Sequence, residues 1–355
     1  MKNKNKIKVL IVDDSATVRE FLKKIINDDP DLEVIETASN PYFAAKKISK
    51  ETPDVITLDI DMPRMDGITF LKKIMKQHPI PVVMISSLTE NNSKLVLKAI
   101  DYGAVEVINK PTNLKEFLNE STVLICDKIK AAMAVKNQNN LLKFKSVSKK
   151  LSVDVIIAKK KIKNIQLTNK VIIIGASTGG TMAITNILRQ LPQNSPPIVI
   201  VQHMPKNFTT AFAKRLNSIC NIEVTEASNN EEIKKGKAII AHGDFHLLIN
   251  KINLKYYVQL KKGELVNRHR PSVDVLFRSA AQTLGKNAIG IILTGMGDDG
   301  AKSLLEMKEA GAFTIAQDEE SSVVFGMPRK AIELDPTIKI LPINQIASFI
   351  INFKK

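Results

Sequence analysis

Ten short apolar runs, rich in Val and Ile, fall in two groups of five along this chain. The first group is IKVLIVD, EVIETA, DVITLDI, PVVMIS and AVEVIN, between residues 7 and 109; the second is KVIIIG, PIVIVQ, GKAIIA, AIGIILT and AFTIAQ, between 170 and 317. Runs this continuous belong to strands buried on both faces, and the amphipathic segments of about 10–15 residues between them are the crossover helices that parallel strands require. The fold class is therefore α/β, twice over. The first group reads as five βα units in a flavodoxin-like, doubly wound parallel sheet, closed by a helix at roughly 112–132. The second reads as a mostly parallel sheet with helices at 179–191, 207–218, 272–285 and 298–310. It carries one antiparallel insertion, the hairpin-like FHLLINKINLKYYVQLKKG. A chain of 355 residues suits two domains with full cores. The boundaries expected are 1–126 and 169–355, joined by a linker over 127–168.

The linker explains the charge. The chain has a formal net charge of +16, but residues 128–170 hold 12 Lys and one Asp, leaving +5 for everything else. A solvated Lys-rich connector accounts for that better than a basic domain face. Only eight of the cations are Arg, the usual reader of phosphate forks and guanine edges, so no nucleic-acid partner is expected. The VDVIIA patch inside the linker is apolar enough to dock on a domain. Cys126 and Cys220 have no metal-like spacing and read as small hydrophobes. The apolar stretch before Asp13 is too short for a secretory h-region, and no run reaches the ~18 residues of a membrane span. The expectation is a cytoplasmic protein, not membrane-inserted, and monomeric.

Ligands of an open parallel sheet bind at the carboxyl ends of its strands. In the first group Asp13 and Asp14 follow the first strand, Asp59 ends the third, Ser86 ends the fourth and Lys110 follows the fifth. Three carboxylates and a lysine make a hard oxygen site suited to Mg²⁺, beside which a carboxylate can attack a phosphoryl group. Residues 7–125 resemble a response-regulator receiver domain. The resemblance implies phosphorylation of Asp59, Mg²⁺ held by Asp13, Asp14, Asp59 and the Asp61 carbonyl, and switch roles for Ser86 and Lys110. Val107 stands where many receivers carry an aromatic switch residue.

In the second group, VIIIGASTGGT turns from strand to helix through glycines. A Walker loop would need a lysine it lacks, and a dinucleotide loop would need glycine where Ser177 stands. Gly-x-Ser-x-Gly at a strand–helix turn fits a nucleophilic serine, with the Thr178 and Gly179 amides near a helix N-terminus as oxyanion donors. Of the five histidines, His203 ends the next strand, in IVIVQHMP, and is the preferred base. Asp298 and Asp299, in LTGMGDDGA, end another strand and offer an orienting carboxylate.

IGASTGGT, QHMP, RHRPSVDVLF, LTGMGDDGA and VVFGMPRKA resemble the catalytic domain of the chemotaxis protein-glutamate methylesterases, the CheB family. The resemblance implies Ser177, His203 and Asp299 as a triad, the Met296 amide as an oxyanion donor, and no cofactor in the esterase site. It gives Asp298 no catalytic role. The implied partners are methyl-accepting chemoreceptors as substrate and a chemotaxis histidine kinase as phosphoryl donor. Arg268, Arg270 and Arg278 are candidates to meet the acidic receptor surface. An unphosphorylated receiver packed over the Ser177 cleft would make the enzyme autoinhibited. Two other classes are a phosphorylation-controlled binding module without catalysis and a DNA-binding regulator. The second group shows no helix-turn-helix pattern to support the latter.

Overall fold

The computed structural model describes residues 6–87, 89–110, 114–136, 150–159 and 170–353. The chain divides into two compact units between Ser148 and Lys149. In the first, strands β1 (Ile7–Val12), β2 (Leu32–Ala38), β3 (Val55–Asp59), β4 (Val82–Ser86) and β5 (Glu106–Asn109) alternate with helices α1 (Ala16–Asp28), α2 (Pro41–Lys50), α3 (Gly67–Gln77), α4 (Glu90–Asp101) and α5 (Leu114–Lys136). Every pairing is parallel, in the order β2-β1-β3-β4-β5. β3 and β4 are buried at every position, as central strands between two helical layers must be. Side chains of Ser15, Asn40, Asp66 and Thr89 accept from the first-turn amides of α1 to α4, which fixes where those helices begin. The strand order reverses between β1 and β3, so the crevice at their carboxyl ends is the expected ligand site.

The second unit contains, in chain order, β6 (Val171–Ala176), α6 (Gly180–Arg189), β7 (Ile198–Gln202), α7 (Phe208–Ile219), β8 (Glu223–Glu226), β9 (Lys237–Ile240), β10 (His246–Ile252), β11 (Lys255–Lys261), α8 (Val273–Leu284), β12 (Ala288–Ile292), α9 (Ala301–Glu309), β13 (Phe313–Gln317), α10 (Met327–Leu334), β14 (Lys339–Leu341) and α11 (Ile343–Asn352). Seven strands form one parallel sheet in the order β14-β13-β12-β6-β7-β9-β8, and β10 and β11 form the antiparallel insertion. Its switch point lies at β6, flanked by β12 on one side and β7 on the other. Two sheet strands, β8 and β14, carry no apolar run. They are short edge strands, mostly polar or exposed, where one face needs no burial.

The linker proves narrower than its composition implies. α5 continues to Lys136, and residues 150–158 are built into the second unit. Val153 and Ile156 pack with Leu248, Val266 and Val275. The Ile156 carbonyl accepts from Lys261 Nζ at 2.6 Å and the Ala158 carbonyl from Gln282 Nε2 at 2.8 Å. VDVIIA thus docks on the unit that follows it. The rest of the Lys-rich stretch, 137–149 and 160–169, lies outside the described residues. Among the described residues no helix is long and apolar enough to cross a membrane. Ile156→Ala should lower the stability of the second unit by about 2–4 kcal/mol through lost burial and a residual cavity, read as a lower urea midpoint.

Candidate active site

The receiver-like crevice gathers the predicted residues. Asp13 and Asp59 are buried, and Lys110 Nζ lies 2.6 Å from Asp59 and 3.0 Å from Asp13. Asp13, Asp14 and Asp59 each offer an oxygen within 4.8 Å of the others. Burial pushes Asp59 up to about 6 against the pull of Lys110, and the Asp13 charge adds to the rise. One lysine is too little positive charge for three close carboxylates, and a hard divalent cation with oxygen preference fits the deficit. Ser86 is buried at the end of β4, and its carbonyl accepts from the Lys110 amide at 2.7 Å. Val107 is buried on β5. One participant had no sequence signal: Asn92, on α4, donates to Asp61 Oδ2 at 2.6 Å and to Ser87 Oγ at 2.7 Å.

In the second unit the sheet edge brings Ser177, His203 and Asp299 together. Strand register pairs Gly175 with Val201 and Ala176 with Gln202. The next residues on these strands are Ser177 and His203, and the His203 amide donates to the Ala176 carbonyl at 3.1 Å. The serine turn is tied down on all sides. Ser177 N donates to Thr294 O at 3.0 Å, and Ser177 O accepts from Gly180 N at 2.7 Å and from Gln202 Nε2 at 2.9 Å. Thr294 Oγ1 donates to the Thr178 carbonyl at 2.9 Å. The left-handed backbone the turn needs falls on Gly179 (φ 79°), not on the serine, and a Cβ there would come within 2.5 Å of Val323.

His203 Nε2 lies 2.8 Å from Asp299 Oδ2. A carboxylate only accepts, so Nε2 carries the proton and Nδ1 the lone pair; Nδ1 is buried and has no hydrogen-bond partner among the described residues. Asp299 is 2 % exposed and accepts four further hydrogen bonds, from Asn267 Nδ2 (2.8 Å), Ser272 Oγ (2.8 Å), Val273 N (2.7 Å) and Asp274 N (3.2 Å). Burial opposes its charge, but the bond to His203 and the nearby imidazoles hold it well below the ordinary carboxylate range. His269 stacks on His203 with centroids 3.7 Å apart and planes 9° from parallel. His203, His269 and Asp299 have metal-ligand chemistry, but the in-plane lone pairs of stacked rings run side by side rather than converge. Met296 and Thr178 sit on the two glycine turns flanking Ser177, and beside Gly297 there is open space.

The arginine candidates separate. Arg278 is a structural residue: it is buried and forks onto Glu306 at 2.8 and 2.6 Å, with Asp154 at 2.5 Å. This corrects the expectation that it meets a substrate. Arg270 NH1 donates to the Gly263 carbonyl at 2.5 Å, and Arg268 shares the same half-buried loop. Asp298 pairs with Lys150 at 2.5 Å, whereas Asp299 pairs with His203. Sequence reading missed Asn267, Ser272 and Asp274, which act through a carboxylate far away in the chain. Their one local signal is polar density in NRHRPSVD, just after the hairpin.

Fold and site together define a phospho-acceptor unit followed by an α/β unit bearing the residues of a serine hydrolase. The family model for CheB methylesterase matches residues 172–350, and that for the response regulator receiver domain matches 9–122. The chain is 56% identical over 349 residues to protein-glutamate methylesterase/protein-glutamine glutaminase 3 of Geobacter metallireducens, covering 96% of this chain and 97% of that protein. It is 52% identical over 347 residues to the relative named protein-glutamate methylesterase/protein-glutamine glutaminase 2 in Oleidesulfovibrio alaskensis, covering 97% and 98%. Among solved structures, the catalytic domain of Thermotoga maritima CheB matches with a TM-score of 0.51 at 42% identity, covering 52% of this chain and 98% of that one. The chain belongs to the CheB methylesterase family.

Two outcomes are expected. The Asp59 carboxyl in the fold lies above the ~3.9 of an unfolded chain, so ionising it costs stability as pH rises from about 4 through about 6. Asp59→Asn should therefore raise the melting temperature of the first unit at about pH 7.5, with the gain shrinking toward about pH 5. A Cβ at Gly295 would meet Met327 Sδ and come within 2.7 Å of Ser177 Cβ. Gly295→Ala should slow labelling of Ser177 by a fluorophosphonate about tenfold or more while the fold is kept.

Proposed function

We propose that this chain is a phosphorylation-controlled esterase that hydrolyses γ-glutamyl methyl esters on chemoreceptors and deamidates glutamines at such sites. The observation that carries the reading is the buried His203–Asp299 pair set beside Ser177 at the switch point of the sheet. The names of the relatives, methylesterase and glutaminase, fit it, and so does the receiver in front.

Ser177 Oγ attacks the ester carbonyl as His203 Nδ1 takes its proton. Asp299, kept ionised, stabilises the imidazolium that results. The Met296 and Thr178 amides are the donors assigned to the oxyanion, with the N-terminus of α6 close behind Thr178 in the chain. His203 returns its proton to the leaving methoxide, and methanol departs. Water, deprotonated by His203, then attacks the acyl-serine, freeing glutamate and restoring the Ser177 hydroxyl. With glutamine the leaving group is ammonia. Arg268 and Arg270 meet the acidic receptor surface around the ester.

Control comes from the first unit. Asp59 accepts a phosphoryl group from a histidine kinase, and Asp13, Asp14, Asp59 and the Asp61 carbonyl would hold Mg²⁺. The ion supplies the positive charge that the cluster lacks. Ser86 and Lys110 then bind the phosphoryl oxygens, and the location is cytoplasmic, where kinase and receptor tails meet the enzyme.

Methanol release from methylated receptor fragments tests this, with and without a small phosphoryl donor and Mg²⁺. Wild type should release methanol faster with the donor, Asp59→Asn should ignore the donor, and Ser177→Ala should lose about 10³-fold or more. No release from folded wild type on proven substrate would leave a binding module in place of an enzyme.

A further inference from the structure

The loop between the hairpin and α8 does more than connect them. Val266 and His269 exchange backbone hydrogen bonds, and the two residues inside this tight turn, Asn267 (φ 49°) and Arg268 (φ 70°), are both left-handed. Three polar groups of Asn267 are engaged: its amide N–H, its carbonyl and its side-chain Nδ2. Its N–H donates to the Leu151 carbonyl at 3.0 Å. Its carbonyl accepts from His269 Nδ1 at 2.8 Å, and His269 is the ring stacked on His203. Its side-chain Nδ2 donates to Asp274 Oδ2 at 2.6 Å and to Asp299 Oδ1 at 2.8 Å.

We propose that Asn267 is a positioning residue for the esterase: its amide spaces the Asp299 and Asp274 carboxylates so that Asp299 stays the ionised partner of His203, while the end of the interdomain segment, at Leu151, holds Asn267 in place. This rests on the reading of Asp299 as the triad carboxylate. A primary amide is the side chain suited to the task. It carries two hydrogens on one nitrogen and can give one to each of two acceptors. Asparagine also tolerates the left-handed backbone that aims it there.

The pair needs such a device. Both carboxylates are buried, and Asp299 takes a bond from the Asp274 amide. Burial, reinforced by the Asp299 charge, pushes Asp274 up to about 7, while Asp299 is held low. Among the described residues, the ionisable groups around them include His203, just after β7, His269 from the same loop and His246 from β10, which feels the charges of Asp299, Arg270 and Lys261. The other donors, Ser272 Oγ and the amides of Val273 and Ser303, do not titrate. Without the Asn267 amide the two carboxylates compete for one proton, and Asp299 loses its hold on His203 whenever it wins. The Leu151 bond and the packing of Val266 against Val153 and Ile156 make residues 150–158 part of this frame.

The test uses the full chain, activated by a small phosphoryl donor and Mg²⁺, in wild type, Asn267→Ala and Asn267→Asp. Asn267→Ala should lower kcat about tenfold or more with KM within about twofold. Asn267→Asp puts a third carboxylate where a donor stood. Its deficit against wild type should be largest at about pH 8.5, where three ionised carboxylates repel and none donates, and shrink about fivefold or more by about pH 6, where the carboxyl introduced at position 267 is protonated and can donate in the amide's place. A kcat for Asn267→Ala within about twofold of wild type, or an Asn267→Asp deficit that is flat with pH, would overturn the proposal. Asn267→Ser replaces the alanine variant should that one not fold. A substrate-free arm reads the His203 Nε2 proton by NMR in histidine-labelled protein. The proposal expects it shifted or lost in Asn267→Ala with the rest of the spectrum kept, and an unmoved resonance overturns it. If wild type itself releases no methanol, the esterase reading falls, and the NMR arm alone decides whether Asn267 positions the pair.

Discussion

The second unit depends on one buried carboxylate. Asp299 sits among five donors, and taking an ion out of water is expensive unless its oxygens are satisfied this fully. Two of those donors are the Val273 and Asp274 amides, the first-turn groups of α8 that have no partner inside the helix. Asp299 is therefore the cap of α8, supplied from another element, which is why Ser272 makes no cap bond of its own: its hydroxyl goes to Asp299 instead. Asp274 repeats the device one step on, accepting from the Ser303 amide in the first turn of α9. The carboxylate bonded to His203 is thus also the group that joins α8, α9 and the β12 turn. Its geometry is set by the fold before any substrate arrives, as a site that must not reorganise during reaction requires.

What was legible in the sequence follows from the same physics. Strands buried on both faces announce themselves as unbroken β-branched runs, and the residues at their carboxyl ends are then known to share an edge. That logic was enough to put Asp13, Asp59 and Lys110 in one crevice and Ser177 beside His203. It could not separate Asp298 from Asp299, since both end the same turn. Family resemblance made that choice, and the structure shows the physical difference: one side chain faces Lys150, the other the buried donors. Edge strands such as β8 left no trace, because half their residues need no burial. Arg278 read as a surface cation because nothing local reveals Glu306 or Asp154 as its partners. The same blindness hid Asn267, whose meaning lies entirely in contacts with Leu151, Asp274 and Asp299.

Charge and apolar pattern point different ways in one place. A Lys-rich, glycine-free stretch between two domains suggests a solvated connector, and by charge that is sound. Yet burial is decided residue by residue. Val153 and Ile156 are apolar at the spacing of a single helical turn, and Lys150, Asp154 and Lys261 find partners around them. A few such contacts suffice to dock a short segment when its neighbours on both sides are free to be polar.

The two sites are electrostatic opposites built on one architectural rule. In the first unit, close carboxylates outnumber the single lysine, and Asp59 is driven toward protonation by burial. Such a site is unfinished: its energy falls when positive charge arrives, and its neighbours Lys110, Ser86 and Asn92 stand where a change at Asp59 reaches β4, β5 and α4. In the second unit the carboxylate is saturated with donors and its charge is favoured in spite of burial. A saturated site has nothing to gain from a new ion and every reason to stay fixed. Sensitivity belongs to the half that is short of counter-charge, and constancy to the half that is not. A regulated enzyme needs both, and parallel sheets that gather polar ends at one edge supply each by changing only which side chains meet there.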